Sequence, residues 1–125
     1  MGRIHHHAIV VTSYGDDRTE QAHAEAKRIG CLVSDVVVAL TNGFSTFMVG
    51  PDGSKEDWKE SDKGDEQRAR FIKWLLAQRF SDGSSPYSWA EIAYGEEEGG
   101  PAEIVNSSQW ADEVGAAHAA PTPPT

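Results

Sequence analysis

The sequence predicts an α+β fold, an antiparallel sheet with two helices. Three observations carry this. The Ile- and Val-rich runs at 4–13 and 32–40 and the aromatic-containing runs at 45–49 and 88–94 have the strand-like composition, and mostly the period of two, that strands show. Stretches 19–29 and 65–80 repeat apolar residues at helical spacing. Asn42-Gly43 lies between two of the strand runs and favours the left-handed backbone of a hairpin turn.

The first strand runs from Ile4 to Ser13. His5, His7, Ile9, Val11 and Ser13 share one face, and Ile4, His6, Ala8, Val10 and Thr12 the other. Tyr14-Gly15-Asp16-Asp17 breaks it, and an Asp or Thr19 is placed to cap the helix that follows. That helix, Thr19 to Ile29, aligns Ala22, Ala26 and Ile29 on one stripe. Lys27 and Arg28 suit its C-terminal dipole, and Gly30 is a natural stop.

Leu32 to Leu40 reads as a second strand, its Val run predicting burial on both faces. After the turn, Ser45 to Val49 returns with Phe47 and Val49 on one face and Phe44, Thr46 and Met48 opposite. Gly50 to Gly64 is a polar loop with Trp58 in its middle, and loops of this length are often functional. Asp65 to Phe80 is a helix with Ala69, Ile72, Leu75, Leu76 and Phe80 as its apolar stripe and Glu66–Arg70 as a supporting pair. Ser88 to Tyr94 is a strand, with Ala90, Ile92 and Tyr94 opposing Trp89, Glu91 and Ala93. Ala102 to Asn106 adds a short final strand. Residues 1–110 form a single domain, and the Ala/Pro/Thr-rich residues 111–125 a disordered tail. Strand, helix, strand, strand, helix, strand is the ferredoxin-like βαββαβ order, with both helices on one sheet face. The other face then needs water or a partner, and a homo-oligomer formed through the sheet face or its edge is the expectation.

A formal charge of −9 disfavours long nucleic acid as a partner. It does not disfavour a small anion held by a few local cations. No apolar run has the length of a membrane span, and no signal-peptide core opens the chain, so the expectation is a cytoplasmic protein. The single cysteine, Cys31, rules out an internal disulfide and reads as a small, at least partly buried side chain.

The three histidines at 5–7 pass straight into IVVTS with no linker, so they read as native rather than as a tag. His5 and His7 share a strand face and suit one metal ion if a further ligand comes from His23, Asp35 or Glu91. No HExxH, paired-Cys, nucleophile-elbow or phosphate-loop motif is present. The two His-x-Thr/Ser motifs of a two-histidine phosphoesterase are missing as well. No catalytic residue is therefore assigned and no cofactor is expected.

Aromatic residues offer a different chemistry. Phe44, Phe47, Trp58, Trp89 and Tyr94 supply faces on which a nucleobase can stack. Arg3, Arg18, Lys55 and Lys59 supply cations for phosphate, and Asn42, His5 and His7 supply hydrogen bonds. The predicted ligand-binding set is Arg3, His5, His7, Asn42, Phe44, Phe47, Lys55, Trp58 and Trp89.

The stretches HHHAIVVTSY, NGFSTFMVGPDGSKEDWKESDKGDEQRARFIKWL and YSWAEIAYGEEEG resemble a family of small proteins of tailed bacteriophages, over most of residues 5–98. The family carries no assigned chemistry, so no site residue transfers from it. The resemblance implies a role in the infected bacterial cell. In size, acidity and α/β content the chain is similar to phage proteins that sequester cyclic nucleotide or cyclic ADP-ribose immune signals as oligomers. The function this implies is non-enzymatic capture of a small nucleotide-type signal. The alternatives are an acidic inhibitor of a host defence protein and a histidine-dependent metal hydrolase.

Overall fold

A computed structural model describes residues 6–51, 59–95 and 101–108. Its elements are β1 (His6–Tyr14), α1 (Asp16–Ile29), β2 (Val37–Val38), β3 (Phe44–Val49), α2 (Lys59–Ala77), β4 (Tyr87–Tyr94) and β5 (Glu103–Ser107). The strands form one open sheet of order β2-β3-β1-β4-β5, and every pairing is antiparallel. The expected α+β fold with an antiparallel sheet and two helices is what the chain adopts.

The register follows from alternation in β1. Ile9, Val11 and Ser13 pair with Val49, Phe47 and Ser45 on one side and with Glu91, Trp89 and Tyr87 on the other. These residues all point to the helix-covered face, and the apolar ones form the buried core with Ala22 and Ala26 of α1 and Phe71 and Leu75 of α2. Aromatic rings chain through it, Phe47 to Phe71 at 6.2 Å, Phe71 stacked on Trp74 at 6.1 Å and Trp74 to Tyr87 at 5.7 Å. A buried hydroxyl pair ties α1 to β3: Ser45 Oγ donates to Thr19 Oγ1 at 2.8 Å.

Helix α1 carries the predicted Ala22–Ala26 stripe and ends at Gly30, whose φ of 112° and N–H bonds to Ala26 and Lys27 carbonyls close its last turn. Its start differs from expectation. The helix begins three residues before Thr19, with Gly15 at the cap and no side-chain cap bond. Thr19 Oγ1 instead reaches back to the Gly15 carbonyl at 3.4 Å.

The second strand is the larger departure. Of residues 32–40 only Val37–Val38 form strand, and both valines are exposed. A Val-rich run signals burial only where layers cover it, and β2 is the sheet edge, beyond the helices' cover. The hairpin still closes as predicted: Asn42 and Gly43 take φ of 68° and 74°, and Ala39 N–H donates to the Phe44 carbonyl at 2.8 Å.

Helix α2 begins six residues earlier than predicted, inside the expected loop 50–64, and its buried stripe is rotated. Gly64, Arg68, Phe71 and Leu75 face inward, whereas Ala69, Leu76 and Phe80 are exposed. Phe71 and Leu75 set the phase because the core needs their volume. Arg68 pairs with Asp65 on this helix, in place of the predicted Glu66–Arg70 pair. No described helix is long and apolar enough to cross a membrane. The tail at 111–125 lies outside the described residues.

Candidate ligand-binding cleft

Where the sheet meets the middle of α2, its helix-facing side turns polar. His7 precedes Ile9 on the inward face of β1, and Glu91 lies between Trp89 and Ala93 on the inward face of β4. Asn106 of β5 pairs with Glu91 across the sheet. Arg68 comes down from α2, one turn before Phe71. With Asp65, Ala69 and Ile72 these residues line a cleft of about 330 Å³, a volume within the range of small-ligand sites.

Glu91 is the hub. It is only 7 % exposed, and a carboxylate this buried is held only where partners replace its lost water. Asn106 Nδ2 donates to Oε1 at 2.8 Å. His7 Nδ1 lies 3.3 Å from Oε2, and the carboxylate acceptor places the imidazole proton on Nδ1. Arg68 Nε lies 3.9 Å from the same oxygen, an ion pair too long for a hydrogen bond. That Nε is buried and has no hydrogen-bond partner among the described residues. The outer edge of the guanidinium is held by Asp65 through Nη2. The wall thus mixes donors from Arg68, His7 and Asn106 with acceptors from Glu91 and Asp65, beside the apolar surface of Ala69 and Ile72.

A second hollow, beside Cys31, Gln67 and Arg68, is about 20 Å³ and admits no more than a water. Burial pushes the Cys31 thiol above its ordinary range, against the opposing pull of Arg68 and Arg70. Its Sγ points at the Gln67 carbonyl, 3.7 Å away.

Of the described members of the predicted ligand-binding set, only His7 reaches the cleft. Phe47 and Trp89 are core residues, 1 % and 5 % exposed, so neither ring offers a face to a ligand. Their inward register puts them under the helices, which corrects the stacking role. Phe44 lies on the opposite sheet face, its ring edge-on to Tyr14 at 5.7 Å. Asn42 is an exposed turn residue set by its positive φ. Tyr94 also faces away from the helices, with its ring 5.4 Å from His6. Arg18 lies 4.6 Å over the Phe80 ring. Arg3, His5, Lys55 and Trp58 lie outside the described residues.

The metal ligands weighed with the histidines divide in the same way. Glu91 meets His7, but His23 Nε2 is 2.8 Å from the Ser34 carbonyl and Asp35 is exposed elsewhere. No group of three or more His, Cys, Asp or Glu gathers among the described residues.

The sequence pointed to His7 and Glu91 but missed Arg68 and Asn106. Phasing the α2 stripe on Phe71 and Leu75 puts Arg68 on it, three residues before one and seven before the other. A cation on an apolar stripe was the available signal. Asn106 had none, being one polar residue in a short strand. No family model, curated protein or solved structure matches the chain.

Proposed function

We propose that the protein captures a small nucleotide-like molecule in the cleft between α2 and the β1–β4–β5 half of the sheet, and holds it without turning it over. One observation carries this reading. A carboxylate and a guanidinium are buried side by side at a cleft, and the desolvation cost of holding them there makes the pair a candidate for binding a polar ligand. A ligand acceptor that draws the Arg68 guanidinium towards the cleft supplies the bond its Nε lacks. Glu91 and Asn106 suit the donor and acceptor edge of a base, and Ala69 and Ile72 suit its apolar face. Stacking on aromatic side chains is no part of the proposal, because Phe47 and Trp89 are core. The ligand class, a cyclic nucleotide or cyclic ADP-ribose immune signal, and the anti-defence role rest on the chain's likeness in size, acidity and α/β content to phage proteins that sequester such signals. We also read β1 to β4 with the two helices as a ferredoxin-like unit to which β5 is appended.

Titration calorimetry of the untagged full chain against cyclic dinucleotides, cyclic mononucleotides and cyclic ADP-ribose tests the proposal. At least one should bind, and Arg68→Met should weaken it by about tenfold or more, the worth of a charge-assisted hydrogen bond. His5→Ala and Trp58→Ala report whether those residues add to the same site. A panel that leaves the chain unliganded contradicts the reading. So does a ligand whose affinity is the same in Arg68→Met.

A further inference from the structure

The face of the sheet turned away from the helices carries a second inference. It presents Val10 of β1, Phe44 and Met48 of β3, Ile92 of β4 and Ile104 of β5, with Tyr14 at one end. Phe44, Met48, Ile104 and Tyr14 are exposed. The described strand residues of this face include no Asp, Glu, Lys or Arg. One residue in four of the whole chain is charged, so the absence marks this face off from the rest. Polar groups at its centre satisfy each other: Thr12 Oγ1 and Thr46 Oγ1 are 2.8 Å apart across the strands.

We propose that this face is the interface of a homodimer, two copies packing sheet to sheet with their helices outward. Charge selects the occupant. Two copies that each carry −9 repel wherever their acidic surfaces meet. They approach most readily through a face without that charge, and the described strand residues of this face carry none. A basic partner would gain most from the acidic surface and nothing electrostatic from this face. The area is that of a small interface. The strands, nine, two, six, eight and five residues long, rise about 3.3 Å per residue and lie about 4.8 Å apart, so they present roughly 500 Å² per copy, about 1,000 Å² in the pair, the low end for a specific interface.

The sheet edges do not compete for this role. β2 offers only Val37–Val38 for pairing. β5 is irregular, its register with β4 shifting between Glu91 and Ile92. Short or bulged edge strands resist strand addition. The dimer therefore forms through the face and leaves the cleft on the opposite side of the sheet open in both copies. It does not depend on the cleft binding anything.

Sedimentation velocity of the untagged full chain across about 1 to 100 µM, the span in which modest interfaces associate, tests the proposal. The expected species is a dimer. Met48→Lys and Ile104→Lys place an ammonium on the face at exposed positions, so the fold persists, as far-UV circular dichroism checks. In a two-fold interface each substitution acts twice, and each should weaken association by about a hundredfold. Val38→Lys at the β2 edge should leave the dimer intact. A monomeric wild type overturns the proposal, including one that instead binds a different protein through this face. A dimer that survives both face substitutions but is lost in Val38→Lys overturns it too, and assigns association to the edge.

Discussion

Arg68 Nε and Glu91 Oε2 stand 3.9 Å apart between helix α2 and strand β4, both side chains about nine-tenths buried. Each is a poor resident of a core by itself. Together with His7 and Asn106 they turn one end of an apolar layer into a polar cleft.

This pairing has a measurable energy. Glu91→Leu removes the acceptor shared by His7, Asn106 and Arg68, and should cost about 3 kcal/mol of stability. Arg68→Met should destabilise as well, by leaving Glu91 with two partners. The double variant should cost less than the two single costs combined, with a coupling of about 1–3 kcal/mol, read by urea denaturation. Additive costs would mean that the two groups do not sense each other.

The aromatic core predicts larger effects with no bearing on ligand. Phe71 is fully buried and touches both Phe47 and Trp74. Phe71→Ala should cost about 3–5 kcal/mol, measured by the same denaturation. Phe47→Leu should cost less and, because Phe47 is core, should leave ligand affinity unchanged where the fold persists. A loss of affinity in folded Phe47→Leu would restore the stacking role inferred from sequence.

The β2–β3 turn depends on one glycine. Gly43 has φ of 74°, and a Cβ there would lie 3.2 Å from Tyr14 Cε1. Gly43→Ala should cost about 1–2 kcal/mol, whereas Gly43→Asn should cost less, since Asn tolerates the left-handed region. Thermal melting of the two variants checks the order.

Most of the fold was legible, for physical reasons that also explain the gaps. Period-two alternation put Ile9 with Val11, Phe47 with Val49, and Trp89 with Glu91 and Ala93, because burial acts residue by residue along a strand, but that these sets share one face needed the strand pairing. The Asn42-Gly43 turn was legible because few residues accept positive φ. The Val37–Val38 edge was misread because composition records propensity, and cover depends on where the other layers end. The α2 stripe was misphased because Leu76 and Phe80 are as apolar as Phe71 and Leu75, and only the tertiary packing separates them. The cleft was half legible. His7 and Glu91 lay on faces that alternation defines, but their convergence with Arg68 required the helix phase and with Asn106 the β4–β5 register.

Cys31 gives a pH-dependent readout of packing. Burial raises its pKa, so the folded chain keeps the neutral thiol where an unfolded chain ionises. The folded state then binds more protons, and this group makes stability fall as pH rises through and beyond the ordinary thiol range. Alkylation by iodoacetamide near about pH 8.5 should be roughly tenfold slower in the folded protein than in denaturant. Equal rates would show that the thiol is not shielded.

The central claim is that the Arg68–Glu91 cleft holds a nucleotide-type ligand. A native mass spectrum of the untagged full chain, mixed with cyclic dinucleotides, cyclic mononucleotides and cyclic ADP-ribose, tests it most directly. The predicted result is an added mass equal to one of these molecules per chain, present in wild type and in Met48→Lys and lost in Arg68→Met. A chain that stays bare with every nucleotide, or an adduct that persists undiminished in Arg68→Met, would contradict it.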